Sequence, residues 1–192
     1  MRLLPAALLS LTLAGAASAQ DTSDIITKQY DDGSVYEGTF RNGRQHGTGT
    51  YTLPNGYSYS GDWVDGEIKG QGTAKYPNGS TYTGAFDKGQ PNGKGKITFA
   101  DGGSYDGDWT MGKMTGQGVA TYPNGAKYTG AFVNGQHDGK GALENPGGYR
   151  YDGDWVAGKK QGQGKITYAD GATYEGGMQA DERSGTGTLI MP

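Results

Sequence analysis

The chain contains no cysteine, so neither disulfides nor thiolate metal sites hold it together, and no cysteine nucleophile is available. Histidine is almost as scarce. His46 and His137 are the two present. They fall near hairpin loops of non-adjacent units, roughly 40 Å apart along a strand stack. That is too far to share a metal, and both read as exposed loop histidines. Ser34, Ser58, Ser60, Ser80, Ser104 and Ser184 lack a recurring base and orienting acid, so no triad is expected. Basic excess is missing too. The 17 lysines and arginines face 20 acids, for a net charge of −3, and loss of Arg2 with a leader would make it −4. This excludes the clustered basic charge of a nucleic-acid binder. No apolar run spans a bilayer comfortably. The longest, Leu3 to Ala16, is broken by Pro5 and Gly15.

That run has another use. Met1-Arg2 is a short basic start, and Ala17-Ser18-Ala19 fits small-x-small cleavage. The sequence predicts a signal peptide over residues 1–19, cut near Ala19/Gln20, and so a periplasmic or extracellular chain. With no cysteine at the cut, no lipoprotein anchor is expected. The mean hydropathy of −0.73 and the 38 glycines would suit disorder. The aromatic content and a fixed period argue for order.

Tyr36, Tyr59, Tyr82, Tyr105, Tyr128, Tyr151 and Tyr174 stand 23 residues apart without a slip. A period of this length means stacked repeat units. With each tyrosine as position 0, position 2 is Gly38, Gly61, Gly84, Gly107, Gly130, Gly153 and Gly176. Position 4 is Phe40, Trp63, Phe86, Trp109, Phe132, Trp155 and then Met178. Positions 0, 2 and 4 share one face of a strand, because strand side chains alternate. Asn42-Gly43, Asp65-Gly66 and Asn134-Gly135 predict tight hairpin turns with positive φ at both central residues. On the return strand, glycine holds positions 11 and 13, and positions 15 and 17 are mostly apolar. Alternation places all four on the same inner face. Second turns follow at Pro54-Asn55-Gly56, Pro77-Asn78-Gly79 and their counterparts. Inner-face glycines leave flat backbone on which rings can lie.

The pattern Tyr-x-Gly-x-(Trp/Phe)-x-x-Gly, then Gly-x-Gly, then Tyr-Pro-Asn-Gly, resembles the MORN (membrane occupation and recognition nexus) repeat family, here in an exported, bacterial form. The resemblance runs from Tyr36 to Pro192. It implies an all-β rod, one elongated sheet of stacked antiparallel hairpins. With ~13 strands about 4.8 Å apart, the rod would be roughly 60 Å long. Residues 20–35 form a lead-in and half repeat, and 36–192 hold six full repeats and a truncated seventh. At the end, Asp181, Glu182 and Arg183 discourage edge-to-edge growth. The resemblance also implies a protein partner or self-association. The family accompanies lipid kinases, junctophilins and histone methyltransferases, but neither a kinase nor a methyltransferase domain is present here.

No catalytic constellation, metal site or cofactor is expected. Gly135-Gln-His-Asp-Gly139-Lys140 is one residue short of a phosphate loop and lacks the following Ser/Thr and helix. The Asp62, Asp106, Asp108, Asp152 and Asp154 carboxylates fall on the wet face opposite Lys94, Lys96, Lys140 and Lys165. Cross-strand charge pairs explain them better than a calcium ladder. Arg44, Lys69, Lys113, Lys159 and Lys160 line the hairpin tips as candidate contacts for a partner or anionic lipid. A second candidate is glycan binding through exposed tryptophan. The break at Asn145-Pro146-Gly147-Gly148-Tyr149-Arg150, where Asn145 replaces an inner aromatic, reads as a local turn variant, with a small binding notch as the alternative.

Overall fold

The computed structural model describes residues 22–192; the expected signal peptide lies outside them. The opening strand, β1 (Thr22–Gln29), is followed by seven hairpins. These are β2 (Val35–Arg41) with β3 (Arg44–Thr52), β4 (Ser58–Val64) with β5 (Glu67–Lys75), β6 (Thr81–Asp87) with β7 (Gln90–Thr98), and β8 (Ser104–Thr110) with β9 (Lys113–Thr121). Then come β10 (Lys127–Val133) with β11 (Gln136–Glu144), β12 (Arg150–Val156) with β13 (Lys159–Thr167), and β14 (Thr173–Gln179) with β15 (Glu182–Ile190). All fifteen lie in one antiparallel sheet in sequence order. The expected count of ~13 is therefore two short, and the stack is about 67 Å long at ordinary strand spacing.

Local chemistry explains both turns. In the first, positions 6 and 7 carry left-handed backbone throughout, as at Asn42 (φ 50°) and Gly43 (φ 76°). Lys88, Met111 and Ala157 adopt it as well, each before a glycine. Two consecutive left-handed residues match the twist of the flanking strands. In the second turn the Asn or Asp side chain accepts a bond from the backbone N–H two residues on. Asn55 Oδ1 takes Tyr57 N at 2.9 Å, and Asn124 Oδ1 takes Ala126 N at 3.0 Å.

The return strand departs from simple alternation. In the first hairpin Gly38 pairs with Gly49, but Phe40 pairs with Gln45, so β3 carries two extra residues. The same shift recurs in the other hairpins, as between Gly130 and Phe132 or Gly153 and Trp155. The bulge is built around the position-11 glycine, whose φ is +78° at Gly47 and +58° at Gly116. A side chain there would point at position 3 on the wet face, against Thr39 at Gly47 and Asp108 at Gly116. Position 11 therefore does not share the inner face with positions 13 and 15. A bulge re-aims the backbone locally and then releases it. Because two residues are added, parity is restored, and position 9 returns to the aromatic face opposite position 4.

Position 13 does what ring-on-backbone packing requires. A Cβ at Gly49, Gly95 or Gly141 would overlap the ring and hydroxyl of Tyr36, Tyr82 or Tyr128. Position 2 glycines face them across the strands, Gly38 to Gly49 and Gly84 to Gly95. The six tyrosines from Tyr36 to Tyr151 are fully buried, and Tyr174 nearly so. Each of the seven donates its hydroxyl to the position-3 carbonyl of its own unit at 2.9–3.0 Å, so no buried phenol is left unpaired.

Candidate interaction face

The aromatic face is a zigzag of edge-to-face rings. Tyr82 meets Phe86 at 5.0 Å and Trp109 at 5.1 Å, and Tyr105 meets Trp109 at 5.4 Å and Phe132 at 4.8 Å. From Trp63 to Trp155, each ring at position 4 thus bridges its own tyrosine and that of the unit before. The tryptophans add a bond across units. Trp63, Trp109 and Trp155 donate Nε1–H to the carbonyls of Gly49, Gly95 and Gly141 at 3.2, 2.9 and 3.0 Å. Phenylalanine cannot make this bond, so the Phe/Trp alternation ties units in pairs. Burial pushes the phenols of Tyr36, Tyr59, Tyr82, Tyr105 and Tyr151 up to about 12, and also raises Tyr128.

A row that the sequence reading missed lies over these rings: Gln45, Ile68, Pro91, Met114, His137, Lys160 and Arg183 at position 9. Three of its four polar members bond hydroxyls of the preceding turn. Gln45 Nε2 donates to Tyr30 Oη at 2.8 Å, His137 Nε2 lies 2.7 Å from Tyr122 Oη, and Lys160 Nζ donates to Tyr149 Oη at 2.7 Å. Counting alternation through the two-residue bulge would have found this row.

Two expectations are corrected here. His137 is not an exposed loop residue. Its ring stacks on Tyr128 at 3.5 Å with an 8° tilt and meets Phe132 and Trp155 edge-on. Lys160 does not belong to a hairpin-tip patch, because its ammonium sits over the Tyr149 and Tyr151 rings at 4.9 and 5.4 Å. His46, one position further on, stays at the tip and accepts the Asp65 N–H at 3.3 Å.

Burial holds the His137 imidazole down to about 4. In the unfolded chain it would titrate near 6.5. The unfolded state therefore takes up the proton first, so stability is fully present above pH 6.5 and falls as pH drops toward 4. The loss expected is about 1–3 kcal/mol, allowing for partial solvent access. Asp108 and Asp154 titrate below the ordinary carboxylate range, held there first by Lys94 and Lys140 and then by backbone N–H bonds. They add little slope in this window. His137→Met, which copies Met114, should flatten the fall in melting temperature between pH 6.5 and 4.5.

The other candidate contacts scatter. Arg44, Lys113 and Lys159 are exposed at the same strand position of the first, fourth and sixth units. Lys69 is tied to Asp87 at 3.4 Å. The tryptophans are buried, with Trp63 at 5%, Trp109 at 7% and Trp155 at 3% exposure, so none offers a free platform for a sugar ring. At the expected turn variant, Asn145 is exposed, while Tyr149 turns inward against Tyr168 at 6.2 Å. Tyr149 replaces the missing aromatic from four residues away, as Tyr57 does beside Tyr76 next to Leu53. On the wet face Asp62, Asp108 and Asp154 accept the N–H groups of Gln71, Gln117 and Gln163 at 2.7–2.9 Å, which caps the bulge. Lys94 pairs with Asp108 at 2.7 Å and Lys140 with Asp154 at 2.6 Å. Among the described residues no group of three or more His, Asp or Glu could hold a metal ion.

One opening breaks the aromatic cover. A groove of about 310 Å³ is lined by Phe99, Tyr105, Met114, Ala120, Tyr122, Pro123 and Phe132, with Asp101 at its margin. Two small residues meet there. Position 15 is Ala120, as it is Ala74 in the second unit, whereas the other units place Tyr51, Ile97, Leu143, Ile166 or Leu189 there, and Gly103 stands on the preceding turn where the turn before the second unit has Tyr57.

Known proteins are similar to this chain in part of its sequence or in fold. Alsin of Rattus norvegicus is 45% identical over 49 residues, which is 23% of this chain; the chain spans 3% of that protein's length. The SAS-4 (dCPAP) TCP domain of Drosophila melanogaster, solved in complex with a proline-rich motif of Ana2 (dSTIL), aligns with a TM-score of 0.50 at 11% identity. The alignment covers 91% of this chain and 99% of that domain, and the likeness is one of fold. The TCP10 domain of Danio rerio CPAP aligns over 90% of this chain and 92% of its own, at 15% identity and a TM-score of 0.32. The MORN repeat model matches seven times, at residues 36–56, 59–81, 82–104, 105–127, 128–148, 151–173 and 174–192. Seven matches on seven ring-over-glycine hairpins leave one assignment: this chain belongs to the MORN repeat family.

Proposed function

We propose that the chain is a non-enzymatic interaction scaffold that holds an extended, proline-containing segment of a partner protein on its aromatic face. The observation that carries this reading is the groove at Ala120. It is apolar, walled by Phe99, Tyr122 and Phe132, and set into a rigid sheet. Ring-lined grooves suit polyproline segments, which lose little entropy on docking. A domain of similar single-sheet fold was solved with a proline-rich motif, which supports the choice of segment. The leader-like residues 1–19 support export, with the scaffold acting in the periplasm or outside the cell. N-terminal sequencing of secreted material should begin at Gln20.

Anionic lipid or envelope glycan is the weaker reading. Its tryptophans are covered, and Lys69 and Lys160 are already engaged.

The groove reading has a direct test. Ala120→Leu should fill the opening without harming the fold, because Leu143 and Leu189 occupy the same repeat position. Titration calorimetry against a panel of proline-rich decapeptides should show binding to the parent chain and a loss of at least about tenfold, some 1.4 kcal/mol, in the variant. Its melting temperature should be unchanged or higher. Equal binding by both proteins would remove the groove from the mechanism.

A further inference from the structure

Of the described residues that line the groove, Asp101 is the one charged side chain. Its turn does not require the charge. Asp101 Oδ1 accepts the Gly103 N–H at 2.9 Å, and the amide oxygens of Asn55, Asn78 and Asn124 accept the matching N–H in other turns at 2.9–3.0 Å. A carboxylate has two oxygens, so Oδ2 is left to accept from a ligand. We propose that the segment held in the groove carries an arginine at one end, which bonds the Asp101 carboxylate beside the Tyr122 and Phe99 rings. This rests on the groove reading above and narrows it to one class of partner segment.

The groove runs along the strands. Its turn end lies at Asp101, Tyr122 and Pro123, past the pair of Ser104 with Thr121. Its tip end lies at Gly135 and at Met114, which pairs with Trp109. Ser104 to Trp109 spans about 17 Å at ordinary strand rise, the length of roughly five residues of polyproline helix. The floor between the ends is formed by Tyr105, Ala120 and Phe132. A cation is therefore welcome at the turn end and unwelcome in the middle of the segment, where it would be set against rings and a methyl group.

The surroundings leave the Asp101 charge uncancelled. Pro77-Asn78-Gly79 and Pro123-Asn124-Gly125, the turns on either side, are uncharged. Asp32 and Asp170 take the same turn bond three turns away in each direction, about 29 Å at ordinary strand spacing, so they do not share its ligand. Arginine suits the site better than lysine, because a guanidinium can lie on an aromatic face while its N–H groups reach a carboxylate. Tyr122 offers such a face. It is 37% exposed, and its hydroxyl lies 2.7 Å from His137 Nε2, which holds the ring in place.

NMR titration of the chain at low salt, with end-capped proline-rich hexapeptides, tests this. One peptide is neutral, with glutamine at its ends; two carry arginine at the first or the last position; one carries it in the centre. At least one end-arginine peptide should bind about fivefold tighter than the neutral one, with shifts centred on the Gly103 amide. Central arginine should bring no gain. Asp101→Asn, which keeps the turn bond, should cut the preference to about twofold or less and leave both the neutral peptide's affinity and the melting temperature unchanged. End arginine that adds nothing, an advantage that survives in Asp101→Asn, or an equal gain from central arginine would overturn the proposal and leave the groove reading standing. If no peptide binds the parent chain, or if Ala120→Leu binds the neutral peptide as well as the parent does, the groove reading fails and the proposal with it.

Discussion

Gly95→Ala will unseat the Tyr82 ring and lower stability by about 3–5 kcal/mol, a cost normally reserved for severe core lesions. Added to Gly95, a methyl group would overlap the hydroxyl and two ring carbons of Tyr82. The ring has nowhere to retreat. Its hydroxyl is fixed to the Ala85 carbonyl at 3.0 Å, and its edges are held by Phe86 and Trp109. Across the strand pair Gly84 sits against Gly95, so the backbone cannot yield either. Gly158→Ala is the control. It has a left-handed φ of +84° but nothing within 4 Å of the added methyl. Only backbone strain is charged there, about 1–2 kcal/mol. Urea unfolding of the two variants should separate these costs. Similar losses in both would mean that conformational freedom, and not ring seating, explains the position-13 glycines.

Tyr105→Ala has the second large effect, about 4–5 kcal/mol, by analogy with other large-to-small core changes. Tyr105 is fully buried and meets Trp109 and Phe132, so it joins the fourth unit to the fifth. Its removal also strips the cover from Gly107 and Gly118, both of which lie against its hydroxyl. In a stack, stability comes from unit terms plus nearest-neighbour terms. Loss of a central link should therefore uncouple the two ends, and melting should turn from one transition into two. Tyr105→Phe isolates the hydroxyl, which donates to the carbonyls of Asp108 at 2.9 Å and Thr115 at 3.0 Å. Its loss should cost about 1–2 kcal/mol without splitting the transition. Calorimetry on both variants distinguishes ring from hydroxyl.

Much of this fold was legible in the chain because its determinants are local. Asn42-Gly43 needs no distant partner to form its turn, and Tyr36, Gly38 and Phe40 share a face through strand alternation alone. The interaction face was less legible. Its chemistry depends on which residues the bulge returns to the aromatic side and on where small residues coincide. Ala120 is an ordinary small residue until Phe99, Met114 and Phe132 stand around it. Lys160 and Lys159 look alike as neighbours in a basic pair. Register with Trp155 places Lys160 over Tyr149 and Tyr151 and leaves Lys159 in solvent.

By itself the sequence determined a chain of seven like hairpins, their two kinds of turn and the seating of rings on glycine. Each of those follows from backbone geometry within a few residues. Tertiary structure decided how the return strand crosses its bulge, that His137 stacks on Tyr128 in the row over the rings, that the tryptophans bond backward into the preceding unit, and that a groove opens beside Ala120. Those outcomes depend on contacts across strands, from the Asp62 carboxylate that takes Gln71 N–H within one hairpin to the Trp109 bond to Gly95, where neighbouring units meet.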